Sequence, residues 1–146
     1  MLVVEPVRNS DLDPVVRLAV RTLRERYDPQ WLADHLDRRG TFLVARDVPT
    51  NQIVGFALAE QREPLEGHVI ALAVDPRRRG EGIGRALLGN VREEMTRRGA
   101  FRLTLEVRAD DSRAQSFYSN QGFWPAGVES GVYSDGEDAV RMERPL

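Results

Sequence analysis

His68-Val69-Ile70-Ala71-Leu72-Ala73-Val74-Asp75-Pro76-Arg77-Arg78-Arg79-Gly80-Glu81-Gly82-Ile83-Gly84-Arg85 passes from an apolar run, through proline, arginines and glycines, into a helical pattern. The apolar run predicts a strand buried on both faces. After the glycines, Ile83, Leu87, Leu88, Val91 and Met95 recur at helical spacing, and Gly99 fits the stop. A buried strand that gives way through a glycine loop to an amphipathic helix makes an anion site. The first N–H groups of the helix lack internal partners, and the helix dipole adds partial positive charge there. Glycines let the backbone close on a phosphate, and Arg77, Arg78, Arg79 and Arg85 supply full charges. Without a ligand the same stretch would be an ordinary strand-to-helix turn with solvated arginines; its strand and helix context favours the anion site. No Gly-Lys-Ser/Thr follows, so it is not a nucleoside-triphosphate loop, and Gly80, Gly82 and Gly84 lack the spacing of the dinucleotide fingerprint.

Outward from this stretch the other elements fall into place. Leu2 to Arg8 is a short β-like run, and Ser10 to Asp13 offers capping side chains for a helix carrying Val15, Val16, Leu18, Ala19 and Leu23. Asp28-Pro29 starts a second helix with Trp31, Leu32, His35 and Leu36 on one face. Thr41 to Arg46 and Ile53 to Ala59 form a hairpin around Pro49-Thr50-Asn51. Phe101, Leu103, Leu105 and Val107 share one side of a further strand; Ser112 to Asn120 is a short helix ended by Gly122. Phe123 to Tyr133 and Ala139 to Met142 close the chain as paired strands around Ser134-Asp135-Gly136. The order β-α-α-β-β-β-α-β-α-β-β predicts a single α/β domain over residues 1–146, with a mixed sheet and helices on both faces.

With 30% charged and 41% hydrophobic residues, composition fits a soluble globular domain. No apolar run reaches the roughly 20 residues of a membrane span, and the start lacks the pattern of a signal peptide, so no membrane contact and a cytoplasmic location are expected. The absence of cysteine excludes disulfides, thiolate metal sites and a cysteine nucleophile, and no metal is expected. The net charge of −2 argues against bulk binding of nucleic acid. All 21 basic residues are arginine, so the usual acylatable amine of this chain is its own N-terminus. The sequence leaves monomer and homodimer open.

Arg79-Gly80-Glu81-Gly82-Ile83-Gly84 matches the Arg/Gln-x-x-Gly-x-Gly/Ala signature, and here the chain resembles the GNAT superfamily of N-acetyltransferases. Three further segments are similar to the branch holding ribosomal-protein-alanine and archaeal N-terminal acetyltransferases: Gly67 to Val74, Leu105 to Phe123, and Val132 to Met142. The resemblance implies a splayed central sheet and acetyl-coenzyme A as co-substrate. It implies that Leu72, Ala73 and Val74 pair with the pantetheine arm and polarise the thioester carbonyl. Arg79, Gly80, Glu81, Gly82, Ile83, Gly84 and Arg85 would hold the pyrophosphate. Glu106 and His68 would act as bases through water, Tyr118 would protonate the leaving thiolate, and Tyr133, Tyr27 and Trp31 would line the peptide site. Two positions depart from the branch. Val132 stands where a tandem tyrosine is common, and Asp111 stands where asparagine is usual. Aspartate can still cap a helix, but its charge opposes contact with an anionic cofactor.

The chemistry suits these residue types. An α-amino group costs roughly 1.4 kcal/mol to deprotonate at pH 7, against roughly 4.6 kcal/mol for a lysine amine, so an α-amine needs only weak base help. The expected reaction is direct transfer of acetyl to an amino group, that of a protein or peptide N-terminus first. A free small-molecule amine as acceptor, or a coenzyme A-binding module without turnover, are the alternatives. Each proposed role also has a plainer reading. His68 could be a satisfied core histidine, Glu106 a solvated side chain, Tyr118 core, Tyr133 a surface aromatic, and Tyr27 and Trp31 a staple for the second helix.

Overall fold

The computed structural model describes residues 1–23, 29–35, 40–62 and 65–146; Tyr27 and Leu36 lie outside them. The strands are β1 (Leu2–Pro6), β2 (Gly40–Asp47), β3 (Gln52–Arg62), β4 (Glu66–Val74), β5 (Arg102–Arg108), β6 (Trp124–Glu129) and β7 (Ala139–Pro145). The helices are α1 (Leu12–Thr22), α2 (Pro29–Asp34), α3 (Ile83–Arg97) and α4 (Ser112–Asn120). The order is the one the sequence predicts. The strands form one mixed sheet, β1-β2-β3-β4-β5-β7-β6, in which β4 and β5 are parallel and the other neighbours antiparallel.

Two apolar clusters sandwich the sheet. On one face α1 lays Val15, Leu18 and Ala19, with Leu32 of α2, onto Phe42, Val44, Phe56, Leu58, Ala71 and Ala73. On the other, Ile83, Leu87, Leu88, Val91 and Met95 of α3, with Tyr118 of α4, cover Val69, Leu103, Leu105 and Val107. Each of those five α3 side chains is at most 1% exposed, and burial of each contributes roughly 2 kcal/mol. The helix is therefore held along its length, and with it the loop at its N-terminus. Among the described residues no helix is long and apolar enough to cross a membrane.

Several sequence expectations need correction. Asp11 does not cap α1 with its side chain. Its carboxylate instead accepts the Arg8 N–H and the Arg46 guanidinium, each at 2.9 Å; a buried carboxylate gains more from a full charge than from a helix amide. Phe101 is 70% exposed. It lies in the turn out of α3, before β5 begins, so only Leu103, Leu105 and Val107 face the core. Leu32 of α2 and His35 just beyond its end are buried, but Trp31 is not. The run in β4 is not buried throughout: Ile70, Leu72 and Val74 are half-buried. Finally, β6 ends at Glu129, so Tyr133 stands in a loop rather than a strand. Gly131 (φ +63°) and Gly136 (φ +85°) turn the chain there, and the Asp138 carboxylate accepts the Gly131 N–H at 2.9 Å.

Candidate active site

The parallel pair β4/β5 runs in register only from Glu66↔Arg102 to Val69↔Leu105. Beyond that point each strand stays paired on its outer edge only, β4 to β3 and β5 to β7. The inner edges of Ile70–Val74 and Glu106–Arg108 therefore diverge and leave backbone donors and acceptors unpaired across an opening. A β-bulge marks the same place: Leu58↔Ala71 and Ala59↔Val69 leave Ile70 as the extra residue. A bulge bends its strand and shifts the side-chain alternation. Here it keeps His68 and Ala71 on the α1 face while Val69 and Leu72 meet the α3 face. The expected splay of the sheet is thus present, and Leu72, Ala73 and Val74 lie on its open edge.

The loop 75–82 closes one end of the opening. Asp75 accepts the Arg77 backbone N–H at 3.0 Å and pairs with its guanidinium, which holds the Asp75 carboxyl below the usual carboxylate range. Arg78 lies between Glu81 (2.9 Å) and Asp47 (3.4 Å), tying the loop to the β2–β3 turn. Arg77 and Arg78 are therefore largely neutralised within the loop, and Glu81 serves it as a structural anchor. Among the described residues Arg79 and Arg85 make no ion pair, and both are exposed. Gly80 and Gly82 have φ of +80° and +82°, and a Cβ on either would meet nothing within 4 Å, so the backbone faces open space. Gly84 differs: a Cβ there would stand 3.2 Å from the Phe117 ring and 3.6 Å from Val74, so it allows close packing of α3 on α4 and β4. The first intrahelical bond runs from Ala86 N–H to Gly82 C=O. The N–H groups of Ile83, Gly84 and Arg85 are thereby left without helical acceptors. This cradle of bare amides, flanked by two uncommitted arginines, fits a diphosphate.

The titratable groups stand on both sides of the opening. Glu106 alternates with the buried Leu105 and Val107 and so shares the α1 face with Thr104 and His68. Partial burial and the neighbouring Glu129 raise its carboxyl above the ordinary range, against Arg62 and Arg141. His68 is 8% exposed and lies opposite Thr104 in the register; its Nδ1 is 2.8 Å from the Thr104 hydroxyl. Burial, helped by Arg62, pushes its imidazole down to about 4, so it is neutral at physiological pH. Glu106 follows Thr104 by two residues, about 7 Å along the strand, which brings the two base candidates to one face. Tyr118 belongs to the opposite face. It is buried against Phe117 and Phe123, with ring centroids 5.1 and 5.6 Å away. Asp111 accepts the Ala114 N–H at 3.0 Å, so its carboxylate caps α4.

Tyr133 reaches the site through a residue that sequence reasoning missed. The Arg108 guanidinium lies 4.8 Å from the Tyr133 ring centroid and is ion-paired with Asp110 (3.1 Å) and with Asp135. The 130–138 loop is thereby fastened to the end of β5 at the opening. Trp31 is 37% exposed on α2, with its ring 4.3 Å from that of His35. Sequence reasoning also missed Thr104 and Glu66. Alternation along β5 would have put Thr104 on the face of Glu106, but the register joining it to His68 is not written locally.

Residues 11–123 match the Acetyltransferase (GNAT) family. The chain is 32% identical to an N-alpha-acetyltransferase of Saccharolobus solfataricus over 152 residues, covering 95% of this chain and 90% of that protein. The fold superposes on Ard1 from Thermoplasma volcanium with a TM-score of 0.93 at 27% identity, covering 99% and 97% of the two chains. It superposes on the ribosomal-protein-S18-alanine N-acetyltransferase of Escherichia coli with a TM-score of 0.87 at 28% identity, covering 100% and 94%. A split parallel pair, a glycine cradle at the head of α3 and this breadth of likeness agree: the chain belongs to the acetyltransferase (GNAT) family and is an N-acetyltransferase.

Proposed function

We propose that this enzyme transfers the acetyl group of acetyl-coenzyme A to the α-amino group of a protein or peptide N-terminus. The observation that carries the reading is the opening between β4 and β5, with a phosphate cradle at one end, two bases on one face and a tyrosine on the other. The similarity to enzymes named for N-terminal and ribosomal-protein-alanine acetylation supports the choice of acceptor.

In this reading the amides of Ile83, Gly84 and Arg85 hold the diphosphate with Arg79 and Arg85, and Gly80 and Gly82 keep the approach clear. The pantetheine arm lies along Leu72, Ala73 and Val74 and continues the sheet where β5 has parted; a strand N–H polarises the thioester carbonyl. The amine arrives on the α1 face and its nitrogen bonds to the carbonyl carbon as the carbon–sulfur bond breaks. Its proton leaves through water to Glu106 or His68, and the Tyr118 hydroxyl supplies one to the departing sulfur from the α3 face. Tyr133, held by Arg108, borders the acceptor side, and Trp31 and Tyr27 would contribute from the α2 region. No metal enters this scheme.

A peptide-library acetylation assay read by mass spectrometry tests it. Acetyl on peptide α-amines is the expected outcome. Failure to acetylate any of a diverse panel, or a preference for free small amines, would overturn the assignment of the acceptor. Tyr118→Phe is expected to lower kcat by about tenfold or more and to leave the KM for acetyl-coenzyme A unchanged.

A further inference from the structure

His68 stands at the end of a short polar chain buried in the sheet. Thr104 is 1% exposed, so no solvent competes for its hydroxyl. That hydroxyl has one proton and two neighbours, His68 Nδ1 at 2.8 Å and a Glu66 carboxylate oxygen at 3.0 Å. Glu66 is ion-paired with Arg102 at 3.1 Å, and Arg141 lies 3.8 Å away. A carboxylate only accepts hydrogen bonds, so the Thr104 proton points at Glu66. The hydroxyl oxygen must then accept from His68, which requires the proton of the neutral ring to sit on Nδ1.

We infer that Glu66 and Thr104 are positioning residues that fix His68 in its Nδ1–H tautomer and so reserve the Nε2 lone pair for an incoming proton. The consequence for the reaction rests on the proposed function; the tautomer does not. With the proton on Nε2 instead, that nitrogen would be a donor and could not take a proton from water or an amine. A depressed imidazole affinity for protons keeps the second nitrogen bare at neutral pH. Such orientation of a histidine by a second group sets which nitrogen does the chemistry.

The chain has only two histidines, His35 and His68, so nitrogen NMR of the full chain labelled at histidine, with His35→Gln for assignment, reads the tautomer directly. The expected spectrum shows a protonated, pyrrole-type Nδ1 and a bare, pyridine-type Nε2 for His68. Thr104→Val is expected to move the proton to Nε2 and to lower kcat for peptide acetylation by roughly tenfold, with KM for acetyl-coenzyme A unchanged; Thr104→Ser is expected to restore both. A proton on Nε2 in the wild-type protein overturns the inference, as does a Thr104→Val protein that keeps the wild-type tautomer or rate. Should Thr104→Val fail to fold, the wild-type spectrum and Thr104→Ser decide. Should the wild-type enzyme acetylate no peptide, the proposed acceptor fails while the spectrum still settles the tautomer.

Discussion

The 75–85 loop and the His68–Glu106 face border one opening but are made of different material. The loop is backbone. In the proposed function its working groups are helix-end amides and its glycines clear space; two of its arginines are spent on internal ion pairs with Asp75 and Glu81. The His68–Glu106 face is side chain. His68, Thr104, Glu106 and the Arg108-held Tyr133 come from β4, β5 and the 130–138 loop, joined by hydrogen bonds between residues 36 and 27 positions apart. Phosphates are the same in every donor molecule, so a rigid backbone cradle suffices. Proton transfer demands groups whose charge state is tuned, and only side chains in a shaped environment provide that.

The difference is sharpest in its response to pH. His68 titrates at about 4 in the folded protein against an ordinary 6.5. Between those values the unfolded chain holds a proton that the folded one does not, so stability rises with pH across that window and is lost on acidification through it. The integrated loss approaches roughly 3 kcal/mol. Below pH 4 both states are protonated and the contribution stays lost. Denaturant unfolding at a series of pH values should show this contribution as the difference between the wild-type protein and His68→Gln, because the raised Glu106 carboxyl acts with the opposite sign above the ordinary carboxylate range. An unchanged slope would mean that His68 is not the neutral, buried group described above. The loop's shifted carboxyl, Asp75, is held below the ordinary carboxylate range, so its titration falls below this window and substitutions there should leave the slope alone.

Gly82→Ala tests the other side of the comparison. A left-handed backbone at an L-residue costs about 1 kcal/mol, and the added methyl would enter the open space that the proposed function gives to the diphosphate. Gly99 provides the control. Its φ is +86°, a Cβ there also meets nothing, and it sits at the far end of α3. Both alanine variants are expected to lose similar stability, but only Gly82→Ala should weaken coenzyme A binding, by about tenfold, in titration calorimetry. Equal binding by the two variants would break the assignment of the cradle.

The same division governs what could be read from the sequence. The span of α3 with its five buried residues, the extent of α4 and the glycine loop rest on contiguous signals, and each stands where the pattern put it. The splay was available only through family resemblance. The bulge at Ile70 carries no glycine or proline to mark it, and the pairing of His68 with Thr104 depends on a register set by the packing of α3 between the strands. Phe123 to Tyr133 reads as one strand before the turn at Ser134-Asp135-Gly136; the ion pair from Arg108 to Asp135 and the bond from Gly131 to Asp138 make Tyr133 a loop residue instead. Nothing local announces Arg46, 35 residues away, which holds the Asp11 carboxylate off the helix end.

The smallest expected effect separates charge from architecture within the loop itself. Arg79 is exposed and, among the described residues, makes no ion pair, whereas the guanidinium of Arg77 is paired with a carboxylate that is 8% exposed. Arg79→Ala should therefore weaken coenzyme A by about 1 kcal/mol, roughly fivefold in Kd. That loss should shrink as salt is raised, because charges this open are screened over about 8–10 Å at ordinary ionic strength. Arg77→Ala removes as much formal charge from the same turn, yet Asp75 still accepts the backbone N–H of residue 77, so the loop keeps its shape. Freed of its partner, Asp75 would leave an unbalanced negative charge in the loop, and any loss of affinity would come from that. Reversing the charge count with Asp75→Asn in the Arg77→Ala background should then recover binding, while the same change should not rescue Arg79→Ala. If the two arginine variants instead lose affinity equally and neither responds to Asp75→Asn, net charge alone governs the donor end, and the backbone cradle contributes less than its geometry implies.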